Sequence, residues 1–402
     1  MDIRITPSPL CGEIEAISSK SHAHRLLICA ALAKEETIIR CSHRNRDMKA
    51  TVACLNAMGS TITYKNGAFL VKPMGAFSKE KLLCGESGSS LRFLLPVVCA
   101  LGLDATFQLE GRLPDRPMEP LWSELVRGGA ILEKPSREEI SVSGKLNCKE
   151  FTIAADVSSQ YISGLLFALP LLGGGQIHLT GTVESRGYIT MTQDALSAFG
   201  VESIWEGDTI KVQGIYRSPK ELTVEGDWSN AAFWLAADAL SAEKISCTGL
   251  NFNSSQGDKA VVTAIEDISR GNAVVDASQI PDLVPILAVV AALSEGKTQF
   301  VNASRLRLKE SDRLEAVEQM LTELGGDVKQ TADGLIVHGK PMLSGGVTHS
   351  RNDHRIAMSA AIASLRCEHT VTVQDAEAVE KSYPDFWNDF ARLGGKLEEV
   401  TP

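Results

Sequence analysis

The chain has 402 residues, of which 44% are hydrophobic and 22% charged, an ordinary globular composition at a length too great for one core. Two domains are therefore expected, and a formal net charge of -10 argues against non-specific nucleic-acid binding. Nine cysteines are scattered from Cys11 to Cys367 with no Cys-x-x-Cys pair, which reads as reduced thiols in a cytosolic protein, neither disulfides nor zinc ligands.

In chain order, Met1-Asp2-Ile3-Arg4-Ile5 does not read as a signal or transit peptide. Ser18-Ser19-Lys20-Ser21-His22-Ala23-His24-Arg25 precedes the apolar helix pattern Leu26–Ala33. Ser18 or Ser19 can cap that helix, whose free N–H groups with Lys20 favour an anion, and Arg25 can face the same mouth. Taken alone, the segment reads somewhat better as a capped helix with exposed cations. Cys84-Gly85-Glu86-Ser87-Gly88-Ser89-Ser90-Leu91-Arg92 again sets small residues before a helix, and Arg92 supplies a forked donor for carboxylate or phosphate. It lacks the Gly-Lys-Ser/Thr ending of a P-loop. Ser158-Ser159-Gln160 precedes the helix pattern Tyr161–Leu169, and Glu184-Ser185-Arg186-Gly187-Tyr188 groups a hydroxyl, a cation and a phenol.

The second half repeats the theme. Asp282 stands before the apolar run Leu283–Leu293, where a helix cap is its plainest role. That run and Phe93–Leu103 are too short to span a bilayer. Leu308-Lys309-Glu310-Ser311-Asp312-Arg313 packs two cations, two carboxylates and a hydroxyl before an amphipathic helix, with Ser311 as the candidate cap. Asn352-Asp353-His354-Arg355 brings four hydrogen-bonding side chains into the helix Ile356–Leu365.

A longer rhythm underlies these motifs. A helix end, a Gly and a strand-like run recur at Gly59, Gly128, Gly200, Gly271, Gly325 and Gly394, spaced by 69, 72, 71, 54 and 69 residues. Each Gly suits the left-handed position that ends a helix. Runs such as Ser60–Tyr64 and Lys396–Val400 then read as strands. This predicts six repeats of strands and helices, three per domain, with a seam at the turn-rich Glu225–Asn230. No His-Glu-x-x-His, dinucleotide fingerprint or nucleophile elbow is present. Instead Lys20, Arg25, Arg92, Arg116, Arg186, Lys309, Arg313, Arg355 and Lys381 lie beside Ser or Gly near helix starts. If those starts converge, they form a cationic cleft for two small polyanions.

The chain resembles the 3-phosphoshikimate 1-carboxyvinyltransferase (enolpyruvylshikimate-phosphate synthase) family. The resemblance runs the whole length in order: Ser19-Lys20-Ser21 with Arg25, Ser87-Gly88-Ser89 with Arg92, Arg116-Pro117-Met118, Ser158-Ser159-Gln160, Leu308–Arg313, Asn352–Arg355 and Lys381-Ser382-Tyr383-Pro384-Asp385. It implies a two-domain inside-out α/β barrel with three strand-helix repeats per domain, residues 18–227 in one and 1–17 plus 228–402 in the other, and the substrate cleft between them. The implied substrates are shikimate 3-phosphate and phosphoenolpyruvate, with no metal and no cofactor. By position, Ser158, Ser159 and Ser185 would hold the shikimate phosphate. Lys20, Ser21, Arg25, Gln160, Asp282 and Lys309 would touch that substrate elsewhere, with Arg186 or Tyr188 nearby. Lys20, Gly88, Arg116, Gln160, Arg313, Arg355 and Lys381 would hold phosphoenolpyruvate, and Arg92 would line that region. Asp282 would be the base for the 5-hydroxyl, Glu310 the proton carrier at the methylene carbon, and Lys20 a further catalytic cation.

Some positions depart from the family pattern. Glu86 stands where many relatives carry Asn, Arg46-Asp47 replaces a common Asp-Asp pair, Arg305 replaces an Asn, and Gly111–Asp115 is divergent. That loop also lacks the reactive Cys of the sister family that acts on UDP-N-acetylglucosamine. Lys20, Asp282 and Glu310 together speak against a non-catalytic anion binder. A cytoplasmic monomer with no nucleic-acid or membrane partner is expected.

Overall fold

A computed structural model describes residues 1–76 and 81–400. The chain divides into two compact units, Ser18–Glu225 and Met1–Ile17 with Gly226–Pro402. The first carries helices α1 (Lys20–Leu32), α2 (Arg46–Ala57), α3 (Gly88–Leu101), α4 (Leu121–Arg127), α5 (Ser159–Ala168) and α6 (Arg186–Ala198). The second carries α7 (Trp228–Leu240), α8 (Val261–Ser269), α9 (Val284–Ala292), α10 (Arg313–Glu323), α11 (His354–Ala363) and α12 (Phe386–Arg392).

One repeat is complete around α3 and α4. Strand Lys81–Gly85 leads through α3 to the parallel strand Ala105–Leu109, and α4 then leads into the hairpin Ala130–Ser136/Glu139–Gly144. The second hairpin strand returns antiparallel to Ala105–Leu109. The same order recurs in the sheets built on Gly175–Thr180 and on Lys297–Val301. Two further sheets are completed by distant chain. Glu221–Thr223 pairs with Thr37–Arg40, and the N-terminal strand Asp2–Thr6 lies between Val371–Gln374 and Lys396–Val400. The sixth sheet is only the parallel pair Gly12–Glu15 and Ile245–Thr248. No hairpin follows α8, because the chain passes almost directly to strand Val274–Asp276. That missing hairpin accounts for the short spacing of 54 between Gly271 and Gly325.

Helices form the inside of each unit and sheets the outside. Nearly every residue of α3, α5, α9 and α11 is buried, as their uniformly apolar sequences require. The strands bury alternate residues, as Ala105–Leu109 does, so one sheet face covers the helices. The rhythm glycines end their helices with positive φ at Gly59, Gly200, Gly271, Gly325 and Gly394, but Gly128 has φ −74 and the left-handed position passes to Gly129. Chain direction within the repeat sets the starts of the buried helices as the places where polar residues must gather, since the first N–H groups of each helix need partners.

Close approach of α3 and α5 depends on Gly164, where an added Cβ would stand 2.2 Å from the Arg92 carbonyl oxygen. Backbone cannot yield as a side-chain tip can. Gly164→Ala is expected to lower unfolding stability by about 1–3 kcal/mol, the usual cost of overpacking, read from the midpoint of guanidinium denaturation. An unchanged midpoint would show that the two helices separate freely.

Candidate active site

In the unit Ser18–Glu225 the buried helices begin with the predicted motifs. Ser19 caps α1, accepting from the His22 N–H, so the helix starts at Lys20 rather than at Leu26. Lys20 therefore lies on the first turn, where its Nζ meets Asp47 at 2.9 Å. Asp47 belongs to the Arg46-Asp47 pair that departs from the family pattern, and it supplies the partner for this cation. Arg25 does not face a mouth beside Lys20. It is buried, donating to Thr192 Oγ1 at 2.8 Å and to the carbonyls of Ser21 at 2.6 Å and Tyr188 at 3.0 Å. Its guanidinium also lies 4.9 Å from the Phe93 ring centre. Burial lowers its proton affinity to a pKa of about 10, which still leaves it cationic at neutral pH. The packing of α1 on α6 thus consumes the fork of Arg25.

Ser87 caps α3, and two guanidinium groups close over the next residue. A Cβ on Gly88 would lie 2.8 Å from Arg116 Nη1 and 2.9 Å from Arg92 Nη1, so only glycine leaves room for both arginines as they stand. Arg92 donates to Gln160 Oε1 at 2.9 Å and to the Pro117 carbonyl at 3.0 Å. Gln160 in turn donates to Ser89 at 3.1 Å, tying the starts of α3 and α5 together. Ser158 caps α5, and Ser159 is buried in its first turn. Ser185 precedes α6 with φ +52 and ψ +43, a left-handed conformation a serine adopts only at a cost. Arg186 stacks on Trp205, 4.2 Å from its ring centre, while Tyr188 contributes its carbonyl to Arg25.

The other unit concentrates charge at the entry to α10. Here Asp312, not Ser311, is the cap, accepting from the Glu315 N–H at 3.2 Å and from Arg307. Ser311 is buried and donates to Asp353 at 3.0 Å. Arg313, only 1% exposed, spreads its three nitrogens over three carboxylates: Nε to Asp353 at 2.8 Å, Nη1 to Asp282 at 2.7 Å and Nη2 to Glu310 at 2.6 Å. Asp282 is no helix cap. It sits on the short 3₁₀ turn Pro281–Leu283, where its carboxylate also meets Lys309 at 3.4 Å and Arg355 at 3.4 Å. Arg355 reaches the Asp282 carbonyl at 2.9 Å and Ser229 Oγ at 2.8 Å. Lys381, nearly buried, donates to the Asn352 carbonyl at 2.6 Å. Asn352 and Arg351 are both left-handed, with φ near +54 and +56, in the turn that delivers Asp353 as the α11 cap.

Electrostatics follow from this crowding. Burial opposes charge on Arg313, but Asp353, Glu310 and Asp282 outweigh it and raise its pKa beyond the ordinary arginine value. Burial likewise pushes Asp353 up, and Arg313 overcomes that and holds it below the usual carboxylate range. Lys309 goes the other way. Burial lowers it to about 8, with Asp282 opposing and Arg313 assisting the shift. Within each unit, then, the sequence-predicted residues do gather at helix starts. The partners Asp47, Thr192 and Ser229 have no assignment as partners from the sequence, because each meets its cation only through tertiary packing. Among the described residues no group of three or more His, Cys, Asp or Glu is arranged to hold a metal ion.

A repeat of buried helices covered by outer sheets is the fold of enolpyruvyl transferases. Two solved structures share it: EPSP synthase from Acinetobacter baumannii, with TM-score 0.82 at 24% identity over 99% of this chain and 100% of that one, and the enolpyruvyl transferase NikO from Streptomyces tendae, with TM-score 0.78 at 18% identity over 100% and 99%. The EPSP synthase (3-phosphoshikimate 1-carboxyvinyltransferase) family profile matches residues 5–390. Proteins named 3-phosphoshikimate 1-carboxyvinyltransferase are 42% identical in Clostridium acetobutylicum and 38% in Clostridioides difficile, each over 99% of this chain and 98% of the relative. This chain belongs to the EPSP synthase family.

Lys309 offers a direct test of the cluster's electrostatics. Because burial favours the neutral amine, acylation of Lys309 should reach half its limiting rate near pH 8, whereas an ordinary lysine titrates near 10.4. Asp282→Asn removes an opposing carboxylate and should move that midpoint lower still. Mass-spectrometric labelling against pH reads both, and a midpoint of 10 or above would contradict the burial of this amine.

Proposed function

We propose that the chain transfers the enolpyruvyl group of phosphoenolpyruvate to the 5-hydroxyl of shikimate 3-phosphate, releasing phosphate through a tetrahedral intermediate. One observation carries the reading: Asp282 and Glu310 take hydrogen bonds from two nitrogens of the same Arg313 guanidinium. That arrangement fixes two carboxylates at neighbouring positions, as an addition–elimination with proton transfer at both ends of one small molecule needs.

In the forward reaction Glu310, as the acid, gives a proton to the methylene carbon. The central carbon gains positive character, the 5-hydroxyl oxygen bonds to it, and Asp282 accepts the hydroxyl proton. The resulting ketal then loses phosphate as Glu310 takes back a proton from the new methyl group, leaving the enol ether. Glu310 thus serves as acid and then base.

The ligand assignments come from both units. Ser158, Ser159 and Ser185 bind the shikimate phosphate, with Ser21, Gln160 and Lys309 on the rest of that substrate. Lys20, Gly88, Arg116, Arg313, Arg355 and Lys381 bind phosphoenolpyruvate. Support for this comes from the two arginines closing on Gly88 and from the cations crowding Asp282. Arg25 fits a supporting role better than a free ligand, since its donors are engaged within its own unit. The working form is read as a cytoplasmic monomer, in keeping with nine free cysteine thiols. Among the described residues no helix is long and apolar enough to cross a membrane.

Phosphate release from phosphoenolpyruvate should occur only when shikimate 3-phosphate is also present. Release driven by UDP-N-acetylglucosamine instead would overturn the assignment. Glu310→Gln should keep both substrates bound, by calorimetry, while turnover falls about 10²–10⁴-fold, the usual worth of a positioned acid or base. Normal turnover in that variant would remove Glu310 from proton transfer.

A further inference from the structure

The stretch Glu225–Asn230, which the sequence offers as a seam, leads into the first turn of α7. Asp227 caps α7, accepting from the Asn230 N–H at 2.9 Å, and so fixes the next two side chains on the first turn. Ser229 Oγ accepts from Arg355 Nη2 at 2.8 Å. The other nitrogen of that fork reaches the Asp282 carbonyl at 2.9 Å, and Arg355 also lies 3.4 Å from the Asp282 carboxylate.

The start of α7 is itself pinned. Gln256 accepts from the Trp228 N–H at 3.1 Å and donates to the Gly226 carbonyl at 2.8 Å, locking the Gly257–Ala260 turn against the start of α7. Ser229 is 8% exposed, so its bond to Arg355 is no chance surface contact.

We propose that Ser229 is a positioning residue: its buried hydroxyl acts as a relay that aims the Arg355 guanidinium, and through it steadies Asp282, for the binding of the anionic three-carbon substrate. The inference rests on the reading of Arg355 as a phosphoenolpyruvate ligand. It assigns a task to a side chain that touches no substrate in that reading.

The test is steady-state kinetics on the full-length enzyme, varying each substrate in turn. Ser229→Ala removes a hydrogen bond to a charged group and is expected to raise KM for phosphoenolpyruvate about tenfold, with KM for shikimate 3-phosphate and the melting temperature near the parent's. Ser229→Thr keeps the hydroxyl and should stay near the parent. In the double variant with Arg355→Ala, Ser229→Ala should add nothing further, because the relay acts only through that arginine.

If Arg355→Ala raises KM while Ser229→Ala leaves it unchanged, the relay is overturned and the ligand assignment stands. If Arg355→Ala leaves KM unchanged, the ligand assignment falls and the relay with it. A full additional rise in the double variant, or equal rises in KM for both substrates, would also overturn the relay.

Discussion

The guanidinium of Arg313 is the constraint on which the charged half of this site depends. A buried cation is tolerated only with opposite charge and filled hydrogen bonds around it, and removing one partner from such a pair leaves an uncompensated charge that costs about 3–5 kcal/mol. Here the compensation is divided. Asp282 and Glu310 take one terminal nitrogen each, Asp353 takes the Nε and shares the Nη2, and they arrive from three different places: the cap of α11, the turn before α9 and the residues just ahead of α10. The arginine therefore locks together three helix starts that are far apart in sequence. Lys309 and Arg355 add two further cations around Asp282, so three carboxylates face three cations. None of these groups can move without altering the balance of the others.

What brings those helix starts together is apolar. The interior helices α3, α5, α9 and α11 are buried along almost their whole length, and the sheets cover them from outside. A helix buried on all sides presents polar character only at its ends, where four N–H groups have no intrahelical partner. Three of the four starts carry a side-chain cap, Ser87, Ser158 and Asp353, while α9 opens from the 3₁₀ turn Pro281–Leu283 without one. The same unpartnered N–H groups and helix dipole make the starts suited to anions. In the unit Ser18–Glu225 this is carried furthest at Gly88, where the absence of a side chain lets Arg92 and Arg116 approach the backbone. Stability and ligand chemistry thus use one device: an apolar rod with a polar, electropositive tip.

Much of this was legible in the chain because periodic features leave a linear trace. The glycine rhythm marked six repeats, and its one short interval corresponds to a hairpin that the repeat around α7 and α8 lacks. At two helix ends cap chemistry was legible to within a residue: the positive φ fell to Gly129 instead of Gly128, and the α10 cap fell to Asp312 instead of Ser311. Both displacements involve adjacent residues of similar aptitude, between which local preference does not choose. Tertiary partnership left no such trace. Thr192, 167 residues away, takes the Nε of Arg25, and nothing in the segment around Arg25 signals it. Ser229 and Arg355 are 126 residues apart, and nothing in either neighbourhood signals the other.

The division of Arg313 among three carboxylates bears on how one glutamate can be both acid and base. A guanidinium held by Glu310 alone would stabilise the carboxylate form strongly and make a poor proton donor. Asp353, wholly buried and held ionised, takes the Nε and part of the neutralising power of that cation. Glu310 is also the more exposed of the two carboxylates, with 20% of its side chain accessible against 0% for Asp353. On the proposed reading, two polyanionic substrates would add negative charge beside it and favour its protonated form when an acid is needed. As phosphate departs that charge is withdrawn, and the cations remaining around Asp282 and Arg313 favour the carboxylate again. A cation shared three ways leaves the glutamate free to follow the charge of its ligands, which a cation paired once would not allow.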